Sequence, residues 1–204
     1  MKKVLLSAAA LFIAGLSFGQ VKYGIVVGPN FSSMTSKLGG EKHTSDLKVG
    51  VRAGFTADIP LADDFYVQPS LLYANKGGKE DGEFFGLDYS YKTNLHYLNV
   101  PVNFLFKPEV GTGNMILGVG PYFAWALSGK SGDNDIEFGS DEMDHDLKRF
   151  DSGGNLQVGY ELKNGLNFVL HAEMGFINLA PGGDSDNAAR TNSFGVSVGY
   201  KFGR

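Results

Sequence analysis

The sequence predicts an all-β chain: an eight-stranded antiparallel up-and-down transmembrane β-barrel behind an export signal. Three observations predict it. Apolar residues alternate with polar or small ones, at a period of two, in eight successive segments. The connections between segments alternate short and long. Residues 1–19 have the makeup of a cleavable targeting peptide.

The targeting peptide opens with Lys2 and Lys3 and continues as an apolar run from Val4 to Ala14, broken only by Ser7. Ser17 and Gly19 then supply the small-x-small pattern read by signal peptidase. The expected cut follows Gly19 and leaves Gln20 first in the mature chain. The rival reading is a membrane helix, but the apolar stretch falls short of the ~20 residues a spanning helix needs. Two domains are therefore expected: residues 1–19 as signal and 20–204 as barrel.

The strands follow in order. The first runs near Tyr23–Phe31, with Tyr23, Ile25, Val27 and Phe31 on one face. The second, Lys48–Ile59, is the clearest. Val49, Val51, Ala53, Phe55, Ala57 and Ile59 alternate with Lys48, Gly50, Arg52, Gly54, Thr56 and Asp58, which no helix accommodates. The third runs near Phe65–Asn75 and the fourth near Leu95–Phe106, where Leu98, Val100, Val102 and Phe104 oppose Asn99 and Asn103. The fifth runs near Met115–Ser128 and the sixth near Phe150–Leu162. The seventh runs near Leu166–Ile177, with Asn167, His171 and Glu173 on its polar face, and the eighth near Thr191–Phe202. Pro60–Asp64 and Lys163-Asn164-Gly165 are short turns, the latter with the Asn-Gly signal, and Lys107–Asn114 is moderate. Ser32–Leu47, Lys76–Asn94, Gly129–Arg149 and Asn178–Arg190 read as four long polar loops. Both chain ends then fall on the short-turn side, the periplasm in such barrels.

Composition agrees. The 29 glycines, 16 phenylalanines and 9 tyrosines suit a β-protein with many turns and aromatic faces. The absence of cysteine excludes disulfides, thiolate metal sites, a cysteine nucleophile and a lipid-modified cysteine at the mature N-terminus. The net charge of −4 becomes more negative once Lys2 and Lys3 are removed, which argues against a nucleic-acid partner.

Alternation alone does not separate a membrane barrel from a soluble one such as a lipocalin. The polar face does. Here it is dominated by small residues (Gly50, Gly54, Gly118, Gly120, Gly195, Gly199), with Arg52, Asp58, Asp151, Glu161, Glu173 and Lys201 scattered among them. That mixture fits the interior of an eight-strand barrel, which is only wide enough for its own side chains. The apolar faces carry no charge over their central stretches, where Lys or Arg costs ~2–4 kcal/mol. Aromatics near the strand ends, including Tyr23, Phe31, Phe65, Trp125 and Tyr200, match interfacial girdles.

Several stretches resemble the PorT-like outer-membrane β-barrel proteins, small barrels of the OmpA/OmpX type. They are YGIVVGPNFSSM at 23–34, FYVQPSLLYANKG at 65–77, LHYLNVPVNFLF at 95–106, GVGPYFAWALSGK at 118–130 and FGVSVGYKF at 194–202. The resemblance covers essentially the whole mature chain. It implies an outer-membrane location, lipid as surroundings and the barrel-assembly machinery as a partner during biogenesis. The family's namesake is linked to protein secretion, a role the resemblance does not transfer. Such barrels often end on an aromatic residue; here Gly203 and Arg204 follow Phe202.

Three groups of residues are candidates for chemistry. Asp133, Asp135, Glu137, Asp141, Glu142, Asp144, His145 and Asp146 cluster in the third long loop. Clustered carboxylates suit Ca²⁺, but the spacing fits no EF-hand and lacks the glycine at its turn position. The expectation is a solvated, mobile loop. Arg52, Asp58, Glu161, His171, Glu173 and Lys201 point inward and either line a pore or form a salt-bridged plug; charges of both signs in so narrow a bore favour the plug. Of the four histidines, His43, His96, His145 and His171, those at 43 and 145 lie in loops near serines and acids. No G-x-S-x-G, H-E-x-x-H or phosphate-loop motif accompanies them. No catalytic, cofactor or metal residue is assigned. The expectation is a structural or interaction barrel whose outer loops meet an extracellular or secretion-system protein. The alternatives are a secretion-accessory or narrow transport barrel and an outer-membrane lipid-modifying enzyme.

Overall fold

The computed structural model describes residues 21–84, 87–141 and 144–202. The predicted export signal lies outside them, as do Glu142, Gly203 and Arg204. Eight long strands make the wall: β1 (Lys22–Leu38), β2 (Lys48–Ala62), β3 (Phe65–Phe84), β4 (Leu87–Phe106), β5 (Gly113–Ser131), β6 (Phe150–Leu162), β7 (Leu166–Gly175) and β8 (Ala188–Phe202). Each pairs antiparallel with its sequence neighbour, and β1 also pairs with β8 from Tyr23↔Phe202 to Lys37↔Ala188. The sheet is thereby closed. Closure leaves no strand edge, the condition for crossing a bilayer on strands.

The alternation sets which side meets lipid. Phe55, Val49, Leu156, Leu170 and Met174 are exposed on the outer wall, whereas Asp58, Asn99, Asn103 and Asn155 are buried in the bore. A soluble barrel has the opposite arrangement, so the apolar face is the lipid face. Aromatic contacts mark its two borders. Phe65 stacks on Phe104 and Phe106, and Tyr200 meets Phe202, at the short-turn end; Phe31 stacks on Phe194, and Trp125 meets Phe150, toward the loop end.

The strands within the lipid band fall where the sequence places them, and β6 matches at both ends. Others run further toward the loop end. The predicted loop Lys76–Asn94 is instead a continuation of β3 and β4, hydrogen-bonded up to Phe84↔Leu87. Above the lipid both faces of a strand meet water, so the ladder continues after the apolar alternation has ended. Ser32–Leu47 is likewise largely strand: β1 extends to Leu38, and a short strand, Glu41–Thr44, folds back on it. The turn between them uses Gly39 and Gly40 at φ of 57° and 90°, a region glycine enters without Cβ strain. β7 ends two residues early, at Gly175. The Asn164-Gly165 turn forms as expected, with Gly165 at φ 91°.

Candidate functional site

The bore is filled from the short-turn end to the loop end by three layers of side chains. The lowest centres on Asp58, which is fully buried. Its two oxygens accept from Lys201 Nζ at 2.6 Å and Lys107 Nζ at 2.9 Å, and Gln68 Nε2 donates at 2.8 Å. Lys107 Nζ also reaches Glu161 at 2.6 Å. Two carboxylates and two ammonium groups thus cancel inside one layer. Four segments of wall supply them, so the layer ties opposite sides of the barrel together.

The middle layer centres on Glu173. Lys76 Nζ lies 2.8 Å from Oε2, Arg52 Nη1 lies 3.3 Å from Oε1, and Asn99 Nδ2 donates at 2.8 Å. Lys76 Nζ also sits 4.3 Å from the centroid of the Tyr122 ring, a cation–π contact. Just beyond, Asp151 accepts from Thr191 Oγ1 at 2.7 Å and Tyr122 OH at 3.1 Å. Arg52, Lys76, Glu173 and Asp151 again balance in charge. His171 lies beside this layer, its ring between Asn30 Oδ1 at 3.3 Å and Ser197 Oγ at 3.5 Å. A polar cavity of about 40 Å³ separates the lower and middle layers; it has room for a few water molecules and none for a substrate.

The third layer is apolar. Leu95, Tyr97, Tyr122, Ala124 and Ala126 of the wall pack against Ile136, Leu147 and Leu179 from the long loops. The β5–β6 loop is therefore folded over the mouth with Ile136 and Leu147 buried, where the sequence predicts a wholly solvated segment. Phe138 and Leu147 pair as an isolated bridge, and Asp146 Oδ2 accepts from the Glu137 N–H at 2.9 Å. Burial of two aliphatic side chains between its acidic runs holds the loop down. Asp133, Asp135, Asp141 and Asp144 remain on its outer side; among the described residues, no three histidines or acids come together in a metal-holding group. The β7–β8 loop is locked separately. Asp184 accepts from the backbone N–H groups of Asp186 and Asn187, which hold its carboxyl below the usual range.

Of the inward charges named from the sequence, Arg52, Asp58, Glu161, Glu173 and Lys201 join a layer by ion pair and Asp151 and His171 by hydrogen bond, while Lys48 donates to Asn75 Oδ1. Sequence reasoning missed Lys76 and Lys107, which it placed in loops. Their signal was position. Lys76 continues the inward register of Leu72 and Ala74, and Lys107 that of Asn103 and Leu105. The loop histidines are not brought together. His43, on the short strand, faces Glu80 at 3.8 Å, and His145 lies in the β5–β6 loop. His96 is on the outer wall, 2.6 Å from Tyr73 OH. The serine–histidine contact among the described residues, Ser197 to His171, is sealed in the bore.

Comparison with known proteins agrees with this architecture. Residues 13–180 match the family model described as outer membrane protein beta-barrel domain. Among solved structures, the chain is similar to Neisserial surface protein A, with 12% identity, 90% of this chain and 100% of that one covered, and a TM-score of 0.50. It is also similar to OprG from Pseudomonas aeruginosa, with 15% identity, coverage of 91% and 99%, and a TM-score of 0.47. Ail, the attachment invasion locus protein of Yersinia pestis, is 15% identical, with coverage of 90% and 100% and a TM-score of 0.44. No curated protein matches the chain. A closed eight-stranded wall, an apolar outer face and a family model spanning most of the chain make this an integral outer-membrane protein, a member of the outer membrane protein beta-barrel domain family.

Proposed function

We propose that the protein is a closed barrel that presents a protein-binding surface outside the cell, with a structural or interaction role rather than a catalytic or transporting one. One observation carries this: the bore is filled by neutralised polar layers and an apolar stopper, while β3 and β4 continue well past the lipid band as a hairpin. The wall spends its polar residues on closing the bore, which leaves the loop end as the surface free to meet a partner. Leu38 at the end of β1 and Tyr91 on β4 are exposed there, apolar groups standing in water above the membrane. An extracellular or secretion-system protein is the partner this surface suits, and a secretion-accessory setting is the second reading. Residues 1–19 act as the cleaved export signal in this proposal, and the barrel-assembly machinery inserts the mature chain.

The test is photo-crosslinking in intact cells from single positions. Probes at Leu38 and Tyr91 are expected to give discrete protein adducts, and probes at Leu61 and Val110 on the short-turn end are expected to give none of the same mass. Adducts from the turn end alone would overturn the reading.

A further inference from the structure

A groove of about 490 Å³ crosses the outer wall where the lipid band meets the loop end. It exists because two positions on this face carry almost no side chain. Gly154 on β6 and Ala172 on β7 lie one row apart, flanked by Leu156, Met174, Phe176 and Phe194. The registers Ser33↔Asn192, Asn192↔Met174 and Met174↔Gly154 place the upper edge of the groove in a single row around the wall.

One row above Asn192, on the same face of β8, stands Arg190, paired across to Thr35 on β1. It is exposed, and among the described residues its side chain has no hydrogen bond or ion pair. Its neighbour Lys37 differs, being engaged by Asp186 at 3.2 Å. A second cation, Lys148, reaches the backbone oxygen of Asn178, two residues beyond Phe176, and among the described residues has no carboxylate partner. The site is thus apolar along its length and cationic at one end only, the end at the water interface. That polarity matches one molecule of the surroundings in one orientation: an acyl chain below and a negative headgroup above.

We infer that this groove is a selective lipid site, holding an acyl chain of an outer-leaflet lipid whose phosphorylated headgroup of net negative charge is met by Arg190. The inference rests on the loop end facing outward. A lipid held this way stays through exchange of the general lipid boundary and stiffens the seam from β6 to β1. A cation near an anionic lipid surface favours binding by about fivefold.

Native mass spectrometry of the full chain tests it, using equimolar phosphatidic acid and phosphatidylethanolamine with identical acyl chains. The expected result is a one-to-one adduct with phosphatidic acid about fivefold over phosphatidylethanolamine. Arg190→Gln should erase that preference, and Gly154→Leu should remove the adduct with either lipid. A Cβ at Gly154 meets only the Phe176 ring, at 3.1 Å and beyond, so that ring must give slightly while no backbone atom of the wall stands in the way. A heat-dependent gel shift confirms folding of each variant, and Ala172→Phe serves as a second filling variant. Equal adducts with both lipids, or adducts unchanged in Arg190→Gln and Gly154→Leu, would overturn the site. A dimer that Gly154→Leu splits into monomers would also overturn it, since a second copy would then occupy the groove. Outward orientation is read separately, by surface labelling of Lys42 in intact cells, so the two failures are distinguishable.

Discussion

At the scale of single residues, the bore is held by groups that cannot lose a partner cheaply. Glu173 answers two cations, Arg52 and Lys76, both buried. Its neutralisation by Glu173→Gln keeps the shape and removes the charge, leaving a net excess of buried positive charge in the layer. Breaking a buried pair by removing one partner costs ~3–5 kcal/mol. Urea unfolding in lipid vesicles, followed by the fluorescence of Trp125, should show a loss of that order, while Glu80→Gln at the exposed hairpin should stay within ~0.5 kcal/mol of the parent. Replacing Arg52, Lys76 and Glu173 by methionine together with Asp151→Asn should recover much of the loss, because the layer then holds no unpaired charge. A single Glu173→Gln variant as stable as the parent would show that the layer is not an electrostatic unit. The same layer explains why Lys76 was not legible as a core residue. A lysine after Asn75 and before Gly77-Gly78 resembles the start of a loop, and only its inward register, carried one step past the last apolar neighbour, marks it as buried.

At the scale of elements, legibility followed the lipid. Where one face meets hydrocarbon and the other the bore, the two faces need opposite side chains, and β2, β4 and β6 are readable residue by residue. Past the lipid that demand ends. Lys79–Phe84 contains no alternation, yet it continues β3 through Lys79↔Lys92, Glu80↔Tyr91 and Asp81↔Ser90. Backbone pairing holds this hairpin, with two lysines placed opposite each other at Lys79↔Lys92, an unfavourable cross-strand pair. Rising at ~3.3 Å per residue and tilted ~45°, the residues beyond Lys76 stand roughly 20 Å above the lipid. Such a projection adds reach and little to the barrel. Replacing residues 79–92 by Asn-Gly, which joins the directly paired Gly78 and Thr93 through a two-residue turn, should leave the heat-dependent gel shift intact. It should also abolish crosslinks at the loop end. Loss of the shift would mean that the hairpin is required for folding, and the element would then be part of the core. The β5–β6 loop carried a different obstacle. Its acids dominate its composition, whereas its placement is decided by Ile136 and Leu147, two aliphatic residues among fourteen polar or small ones between β5 and β6, with no period to mark them.

At the scale of the whole molecule, three layers close the same bore in series, two by charge and one by apolar packing. Series closure makes a definite demand on conductance. Opening the mouth alone, by Ile136→Ser with Leu179→Ser, removes the apolar stopper but leaves Glu173 with Arg52 and Lys76 below it, and Asp58 with Lys107 and Lys201 below that. An eight-strand wall has no width to spare beside those side chains. In planar bilayers under concentrated KCl, the parent and the mouth variant should both be silent. Adding alanine at positions 52, 76 and 173 should still give no steady current, because the Asp58 layer spans the wall independently. Current should appear only when Lys107 and Lys201 are shortened as well, together with Asp58 and Glu161. A steady open level from the parent would end the closed-barrel reading and return a narrow transport role. An open level from the mouth variant alone would show that the ionic layers are porous and that the loops are the gate.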